Sequence, residues 1–476
     1  MKRHPLSKII RKNIEVSPDS KAIYCGGVFV SYSELYSSVD LLVVALRHRG
    51  VQSGDVVVLS MDSSPAFIVF LLAAVEMGLV LAPFAADLGT SEKSQALSVV
   101  GPKYFIESGN DILGEYSMGR FDRGSSCEDL KRVAPFGGFV RFTSGTTGTS
   151  KGVLVSFDSA LERVIAAEPA FMCGNQDKVL FMMMMPYHFI VSLLLFLKNG
   201  ACVLIPDRVG DSLENLVSLS TIIYGTPHHF ERILQISRKK NCNPKHLRMA
   251  MSTSTRLNRS VRDEFKSKFG VSLSQSLGII EIGIPVSSLV NGISAEGEAD
   301  VSDNVLGVPL PAYEIGFADE AGRVCSELSE GLISIRGPGM FDAYLEPFKM
   351  RAEVLYDSWF VTSDLGSRRE DGVILLHGRA SSVVNVGGYK VFPEEVEEIL
   401  IEHKDVDQVQ VFGVGHEIFG SSLHAKVVLR EGSYPDKEEL ISYCRKRLGR
   451  IKSPKEILFV DNIIKTHTGK VSRVLE

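Results

Sequence analysis

The sequence predicts an α/β fold with a β-rich section and a small α+β domain toward its C-terminal end. Over about the first 280 residues, apolar stripes with helical spacing alternate with short apolar runs, the pattern of a parallel sheet with helical crossovers. From residue 297 onward Gly and Pro become frequent and the strand patterns are short. Past residue 379, helix and strand patterns alternate again.

The length of the chain predicts more than one domain. It has 476 residues, whereas a single hydrophobic core rarely serves more than ~250 to 300 residues. We expect a large N-terminal domain at residues 1–378, which is α/β to about residue 296 and β-rich over 297–378. A short segment at 379–382 then leads to a small domain at 383–476.

Local patterns support each element of this prediction. Pro65 and Pro393 stand where proline suits the first turn of a helix, and Gly50, Gly78 and Gly449 stand where helices end. The predicted helices are 31–51, 65–77, 159–167, a helix that begins at Pro393, and 435–448. The predicted strands are 56–60, 79–82, 139–142, 153–155, 179–183, 201–205, 314–317, 331–336, 373–377, 409–414 and 425–429.

Composition limits the partners and the compartment. Net charge is −5, from 52 Lys+Arg against 57 Asp+Glu, with no block of like charge, which argues against nucleic acid and favours a small-molecule substrate. The seven cysteines include no C-x-x-C pair, so we expect neither disulfides nor a zinc site, and a reduced, cytoplasmic compartment. The apolar stretches 66–86 and 179–197 are interrupted by charged residues or proline, so no transmembrane segment is expected.

Residues 143–153, T-S-G-T-T-G-T-S-K-G-V, have the composition of a phosphate-binding loop. Gly145 and Gly148 can adopt positive φ so that backbone N–H groups converge on an anion, hydroxyls donate further hydrogen bonds, and Lys151 adds charge. The spacing fails the P-loop pattern, and the flanking runs predict strands on both sides. The alternative is a solvated Ser/Thr/Gly loop.

This loop resembles the signature of the AMP-forming adenylating enzymes, a superfamily of acyl-CoA synthetases, peptide-synthetase adenylation domains and firefly luciferases. Further segments follow in the order of that family, and together they cover nearly the whole chain. The segments are G-x-x-x-I-R-G-P at 331–338 with Tyr344, W-F-V-T-S-D at 359–364, G-R at 378–379, G-G-Y-K-V-F-P-E-E-V-E at 387–397 and T-H-T-G-K-V-S-R at 466–473. The closest resemblance is to acyl- or aryl-CoA ligases.

The resemblance implies a two-step reaction that uses ATP, Mg²⁺ and coenzyme A. A carboxylate and ATP give acyl-AMP and pyrophosphate, and a thiol then attacks the acyl carbon. Lys470 would stabilise the charge that develops on the α-phosphate, and Glu281 would hold Mg²⁺. Thr143 would be a third catalytic residue. The implied ATP- or AMP-binding residues are Thr143, Ser144, Gly145, Thr146, Thr147, Gly148, Lys151, Ser252, Thr253, Ser254, Leu277, Gly278, Ile280, Asp364, Arg379 and Lys470.

The family pattern also implies positions for the acid, the thiol and a hinge. A small, mobile C-terminal domain would rotate about Ser381 between the half-reactions. The acid would be apolar or aromatic. The implied acyl-pocket residues are His188, Tyr224, Gly225, Thr226 and Ile279, and the implied thiol-side residues are Gly387, Gly388 and Tyr389.

The chain departs from the family pattern at the nucleotide site. The usual Y-G-x-T-E reads L-G-I-I-E, so Leu277 and Ile280 replace an aromatic residue and a threonine, and residues 252–255 replace a Gly-Gly-Ala-like loop. Three functions stay open at this point: a CoA ligase, an adenylation enzyme that loads the phosphopantetheine of an acyl carrier protein, and a degenerate member without turnover.

Overall fold

The computed structural model describes residues 3–108, 116–121, 127–142, 151–206, 212–239, 242, 244–294, 304–319, 321–325, 328–416 and 420–463. These residues form two compact units. The first contains the described residues of Met1–Thr143, Ser150–Glu314 and Arg336–Leu355, and the second those of Ile315–Ile335 and Tyr356–Glu476. The mixed helix and strand content confirms the predicted α/β class.

Up to residue 142 the elements are α1 (Pro5–Val16), β1 (Lys21–Cys25), β2 (Val28–Ser31), α2 (Tyr32–His48), β3 (Val56–Ser60), α3 (Pro65–Met77), β4 (Val80–Phe84), α4 (Thr90–Val100), β5 (Tyr104–Ser108), β6 (Tyr116–Arg120), α5 (Cys127–Val133) and β7 (Gly138–Phe142). They continue with β8 (Gly152–Ser156), α6 (Phe157–Ala166), α7 (Glu168–Phe171), β9 (Lys178–Phe181), α8 (Met185–His188), a π-helix (Phe189–Leu193), α9 (Leu194–Lys198) and β10 (Cys202–Leu204).

From residue 213 the elements are α10 (Leu213–Leu219), β11 (Ile222–Gly225), α11 (Pro227–Lys239), β12 (Met249–Ser252), α12 (Arg259–Phe269), β13 (Leu273–Ile279), β14 (Gly283–Ser287), β15 (Leu289–Val290), β16 (Ile293–Ser294), β17 (Val305–Pro309), β18 (Glu314–Ala318), β19 (Val324–Cys325) and β20 (Glu330–Arg336). They are followed by β21 (Ala343–Leu345), β22 (Phe348–Met350), α13 (Arg351–Val354), β23 (Phe360–Arg368) and β24 (Ile374–Arg379).

The last elements are a 3₁₀ turn (Ala380–Ser382), β25 (Val384–Val386), β26 (Tyr389–Val391), α14 (Pro393–Ile401), β27 (Val406–His416), β28 (Gly420–Leu429), α15 (Lys437–Leu448) and β29 (Glu456–Phe459). No helix among the described residues is long and apolar enough to cross a membrane.

Helix starts and ends follow local chemistry in most places. Ser31 and Glu34 form a capping box for α2, and α3 begins with Pro65 and ends at Gly78 in the left-handed conformation. The start of α6 differs from the sequence prediction, because Ser156 rather than Ser159 is its N-cap. The Ser156 hydroxyl accepts from the Ser159 amide, so the helix begins one turn earlier.

Two sheets organise the first unit. One has the order β22-β21-β8-β7-β4-β3-β5-β6, and the other runs β17-β14-β13-β12-β11-β9-β10-β1-β2. Their cores are apolar, and α3 is buried on nearly every side, which explains why its sequence looks like a membrane segment.

The second unit contains the strand order β19-β18-β20-β23-β24 and a sheet of order β26-β25-β28-β27, with β29 paired to β28. Residues of β27, β28, α14 and α15 share one buried apolar cluster. The predicted connecting segment 379–382 lies within this unit, and the predicted domain boundaries stay a prediction.

Candidate active site

Four neighbouring strands of the first unit bring most of the predicted site residues that the structure describes to one edge of their sheet. β9, β11, β12 and β13 pair in parallel, with Gly225 opposite Ser252 and Ser252 opposite Gln275. The carboxyl ends of parallel strands meet at the same edge, which is where α/β proteins bind ligands. The predicted site segments at or directly after these ends are 182–188, 224–226, 252–254 and 277–281.

Glu281, the predicted Mg²⁺ ligand, lies in the turn between β13 and β14. Its Oε1 accepts a hydrogen bond from the Tyr344 hydroxyl at 2.8 Å. The Lys151 ammonium lies 5.2 Å from the centre of the Tyr344 ring, within the range of a cation–π contact. Burial, and then the charge of Glu281, raise the pKa of Tyr344, so the phenol stays protonated and donates. One tyrosine therefore contacts both the predicted metal ligand and the predicted phosphate-binding lysine.

Arg163 is a buried arginine on α6 that holds the backbone around Glu281. Its Nη1 and Nη2 donate to the carbonyls of Ile280 and Glu281, each at 2.8 Å, and its Nε donates to the Gly339 carbonyl. Burial lowers the pKa of Arg163 to about 10, which leaves it charged at neutral pH. These charge-assisted bonds fix the Glu281 turn against the segment that leads to Tyr344.

The donor set around Glu281 suits Mg²⁺ bound with a nucleotide. Among the described residues, no group of three or more His, Cys, Asp or Glu side chains could hold a metal ion by itself. Mg²⁺ is commonly held by one or two carboxylates together with substrate phosphates and waters, so a single carboxylate is enough. The recorded partner of Glu281 occupies Oε1, and no described residue is recorded as bonded to Oε2. The residues present fit the predicted ion.

The predicted adenine loop at 252–254 is firmly held. The Thr253 amide donates to the Gly225 carbonyl at 3.0 Å, and its hydroxyl donates to the Ser276 carbonyl at 3.2 Å. Ser254 has φ 75°, a left-handed conformation that glycine adopts more readily than serine. The serine that stands where the family pattern has a small glycine-type residue is therefore a strained position.

Leu277 and Gly278 lie in β13, with Leu277 half-buried opposite Val286 and Gly278 exposed. Ile279 ends this strand, and Ile280 follows in the turn. Both isoleucines are half-buried. Two departures from the family pattern, Leu277 and Ile280, thus lie within the four residues before Glu281.

The predicted acyl-pocket residues follow β9 and β11. His188 ends α8 and precedes the π-helix, a rare element that is frequent at functional sites. The Tyr224 ring packs against Phe171, Phe181 and Phe196, at centroid distances of 5.5, 5.7 and 6.0 Å. Burial raises the pKa of Tyr224 to about 12, so it is a neutral donor.

His229 is a neighbour of this pocket that the sequence reasoning missed. Its Nδ1 accepts from the Thr226 amide at 3.0 Å and lies 3.1 Å from the Thr226 hydroxyl. Burial lowers the pKa of His229 to about 4, so the ring is neutral at physiological pH. It holds Thr226, the residue directly after β11.

The predicted ribose pair lies in the second unit. Asp364 on β23 is the cross-strand partner of Arg379 on β24, and the Arg379 Nε lies 3.5 Å from the Asp364 Oδ1. Ser381, the predicted hinge, is exposed in the 3₁₀ turn that follows. The next residue is anchored, because the Ser382 hydroxyl lies 2.9 Å from both the Arg379 carbonyl and the Glu394 carboxylate and can donate its proton to either.

The predicted thiol-side residues form the tip of a hairpin between β25 and β26. Gly387 and Gly388 have φ 59° and 87°, so both central residues are left-handed, as in a type I′ turn. Tyr389 begins β26 with 61% of its surface exposed. The two glycines are required by the turn, and the tyrosine is accessible.

Two predicted groups lie outside the described residues: Lys470, and the loop residues Thr143, Ser144, Gly145, Thr146, Thr147 and Gly148. Their roles stay predictions.

Arg163 had no role in the sequence analysis, because a helix arginine carries no pattern that distinguishes a surface position from a buried one. Tyr344 was noted only as part of a motif, because the sequence does not show that its hydroxyl contacts Glu281.

Restoring the hydroxyl of the family pattern is expected to strengthen AMP binding. In Ile280→Thr the new hydroxyl would add about 0.5–1.5 kcal/mol if the α-phosphate lies beside this position. Ile280→Val is the matched control, since valine has the shape of threonine without its hydroxyl. Calorimetry with AMP measures the difference between the two variants, and equal affinities would contradict the prediction.

Comparison with known proteins identifies the family of this chain. The model of the AMP-binding enzymes matches residues 10–131 and 138–345, and that of the AMP-binding enzyme C-terminal domain matches residues 395–470. Similar curated proteins include a feruloyl-CoA synthase of Amycolatopsis sp, 26% identical over 97% of this chain and 96% of that protein. A 2-succinylbenzoate–CoA ligase of Bacillus licheniformis is 25% identical over 98% of each chain.

Solved structures agree with this fold over nearly the full length. ATP-bound MatB from Rhodopseudomonas palustris matches with a TM-score of 0.83 at 24% identity, over 98% of this chain and 97% of that one. The o-succinylbenzoate coenzyme A synthetase MenE from Bacillus subtilis, in complex with AMP, matches with a TM-score of 0.82 at 20% identity, over 98% and 97%. Since the family model matches most of the chain, this protein belongs to the family of AMP-binding enzymes and carries the C-terminal domain of that family.

Proposed function

We propose that this AMP-forming ligase activates an apolar or aromatic carboxylate as its acyl-adenylate and transfers the acyl group to coenzyme A. The observation that carries the proposal is that Tyr344 contacts both Lys151 and Glu281, the latter at the carboxyl edge of the parallel sheet. Arg163 holds the backbone at Glu281 through hydrogen bonds to the carbonyls of Ile280 and Glu281. This arrangement offers a cation beside the predicted phosphate loop and a carboxylate oxygen for a hard metal ion.

In adenylation, some of these residues would stabilise negative charge and others would position the reacting groups. Mg²⁺, when bound with ATP, would neutralise the phosphates as charge develops on the departing pyrophosphate. Glu281 would hold the ion, and the hydrogen bond from Tyr344 to its Oε1 fixes the orientation of the carboxylate. Lys151 and Lys470 would supply cations to the phosphates, and Asp364 with Arg379 would bind the ribose hydroxyls.

Coenzyme A is the proposed acceptor, because curated relatives over the full chain length are named as CoA synthases or ligases. They are named for different acids, among them ferulate, indoleacetate and 2-succinylbenzoate, so the acid is open. We place the enzyme in a reducing, cytoplasmic compartment, which is supported by six cysteines that are free among the described residues.

Acid-dependent exchange of pyrophosphate into ATP tests the first half-reaction. A panel of aryl acids and short to long fatty acids should give exchange with at least one apolar or aromatic acid. Thioester formation should then occur with free CoA. Thioester formation only on a phosphopantetheinylated carrier protein would favour the carrier-loading alternative, and no exchange with any acid would favour the degenerate one.

Ser381→Pro is expected to leave adenylation largely intact and to lower thioester formation about tenfold or more. The predicted boundary at 379–382 would have to change its backbone dihedrals between half-reactions, whereas proline fixes φ near about −65°. Ser381 is exposed, so the substitution removes no core packing. Ser381→Ala is the control, and the two half-reactions are measured separately. An unchanged second half-reaction in folded Ser381→Pro would place the hinge elsewhere.

A further inference from the structure

Strand β7, which leads into the predicted phosphate loop, carries an arginine on its inner face. Successive side chains of a strand point to opposite faces. Val140 and Phe142 pack into one apolar cluster. Phe139 faces the other way, with its ring 5.0 Å from that of Phe189 at the start of the π-helix. Arg141 is two residues from Phe139, so it shares the face that packs against the segment after His188.

Among the residues that the structure describes, the guanidinium of Arg141 has no ion-pair partner. Its Nε is shielded from solvent without a hydrogen-bond partner, and no hydrogen bond or ion pair of Arg141 is recorded among the described residues. Burial, and then the charge of Arg163, lower the pKa of Arg141 to about 10, so it is still charged at neutral pH. Arg163 is fully buried and donates to three carbonyls, whereas Arg141 is half-buried and its shielded Nε has no such partner. A partly desolvated charge without a partner is costly, so an anionic ligand at the Arg141 guanidinium would be stabilising.

The surroundings of Arg141 indicate which anion. The phenols of Tyr187 and Tyr224 and the carboxylate of Glu281 are near enough to act on its pKa. No ion pair between Glu281 and Arg141 is recorded among the described residues, and the Oε1 of Glu281 accepts from Tyr344. The guanidinium is thus within electrostatic reach of Glu281, the predicted metal ligand, and of Tyr224, a predicted acyl-pocket residue.

We propose that Arg141 binds a second carboxylate of the acid substrate, distinct from the one that is activated. The preferred acid then has an aromatic or apolar body, which suits Phe139, Phe189 and Tyr224, and carries an additional carboxylate. A guanidinium fork matches a carboxylate through two parallel hydrogen bonds. This inference rests on the proposed acid-activating function and narrows its substrate class.

Pairs of acids that differ by one carboxylate test the proposal. Benzoate is compared with the three benzene dicarboxylates, and hexanoate with adipate, by pyrophosphate exchange. The wild type should prefer one dicarboxylate over its monocarboxylate partner by about tenfold or more in kcat/KM, the value of one charge-assisted contact. Arg141→Met keeps the length of the side chain and should abolish this preference with an unchanged KM for ATP.

Two further variants separate charge from position. Arg141→Lys keeps the cation without the fork and should retain part of the preference. Arg132→Met removes a positive charge from a side chain that is 69% exposed, so it should behave as wild type. Dicarboxylates should also raise the melting temperature of the wild type but not that of Arg141→Met. This readout requires no turnover, and calorimetry on the wild type alone tests the preference if Arg141→Met does not fold.

Three results would overturn the proposal. Equal activity with both acids of every pair in the wild type would leave the proposed ligase function standing but remove the role of Arg141. Equal losses for mono- and dicarboxylates in Arg141→Met would assign the guanidinium to the activated carboxylate. A raised KM for ATP with unchanged acid preference would assign it to a phosphate.

Discussion

Lys470→Ala is expected to lower the rate of adenylation by about 10²- to 10³-fold or more, while thioester formation from supplied acyl-AMP stays nearly intact. Adenylation develops negative charge on the α-phosphate and on pyrophosphate, and a positioned cation stabilises that transition state more than the ground state. Thioester formation from acyl-AMP builds no charge on pyrophosphate. Single-turnover measurements of each half-reaction separate the two effects.

Lys465→Ala provides the control for Lys470→Ala. It removes the same charge five positions earlier, outside the T-H-T-G-K motif. This variant should retain both half-reactions. If Lys470→Ala reduces both half-reactions equally, the lysine acts on something other than the departing pyrophosphate.

Arg163→Met is expected to be the most destabilising substitution that we predict. The methionine fills part of the space but leaves the carbonyls of Ile280 and Gly339 without their donor, while the Glu281 carbonyl keeps only its bond from the Phe341 amide. Each unsatisfied buried carbonyl costs ~1–3 kcal/mol, so the total should reach about 3 kcal/mol or more. The Glu281 turn would then lose its fixed position, and Mg²⁺-dependent ATP binding should weaken.

Thermal unfolding and ATP titration with and without Mg²⁺ measure the two consequences of Arg163→Met. Arg163→Lys is the control, because it keeps the charge but can reach fewer of the three carbonyls, and it should give an intermediate loss. A folded Arg163→Met protein with wild-type ATP affinity would show that the turn at Glu281 is held by other contacts, such as the 2.7 Å bond from the Phe341 amide to the Glu281 carbonyl.

Much of the fold could be predicted because its signals are local. The apolar helix after Pro65 and its end at Gly78 depend on proline at a first turn and on glycine in the left-handed conformation, both of which are visible in the sequence. The Gly387-Gly388 turn is local in the same sense. The N-cap of α6 was misplaced because Ser156 and Ser159 are both good caps, and the sequence alone does not decide between them.

The sequence by itself determined the class of fold, several of its helices and strands, and the motifs that mark an adenylate-forming site. Those depend on periodicity, turn chemistry and spacing along the chain. Only the tertiary structure decided that Tyr344 contacts Glu281, that Arg163 has three carbonyl partners and that the Arg141 Nε has no partner among the described residues. The physical reason is that the energy of a buried charge depends on its neighbours in space, and neither arginine differs in sequence pattern from an ordinary one.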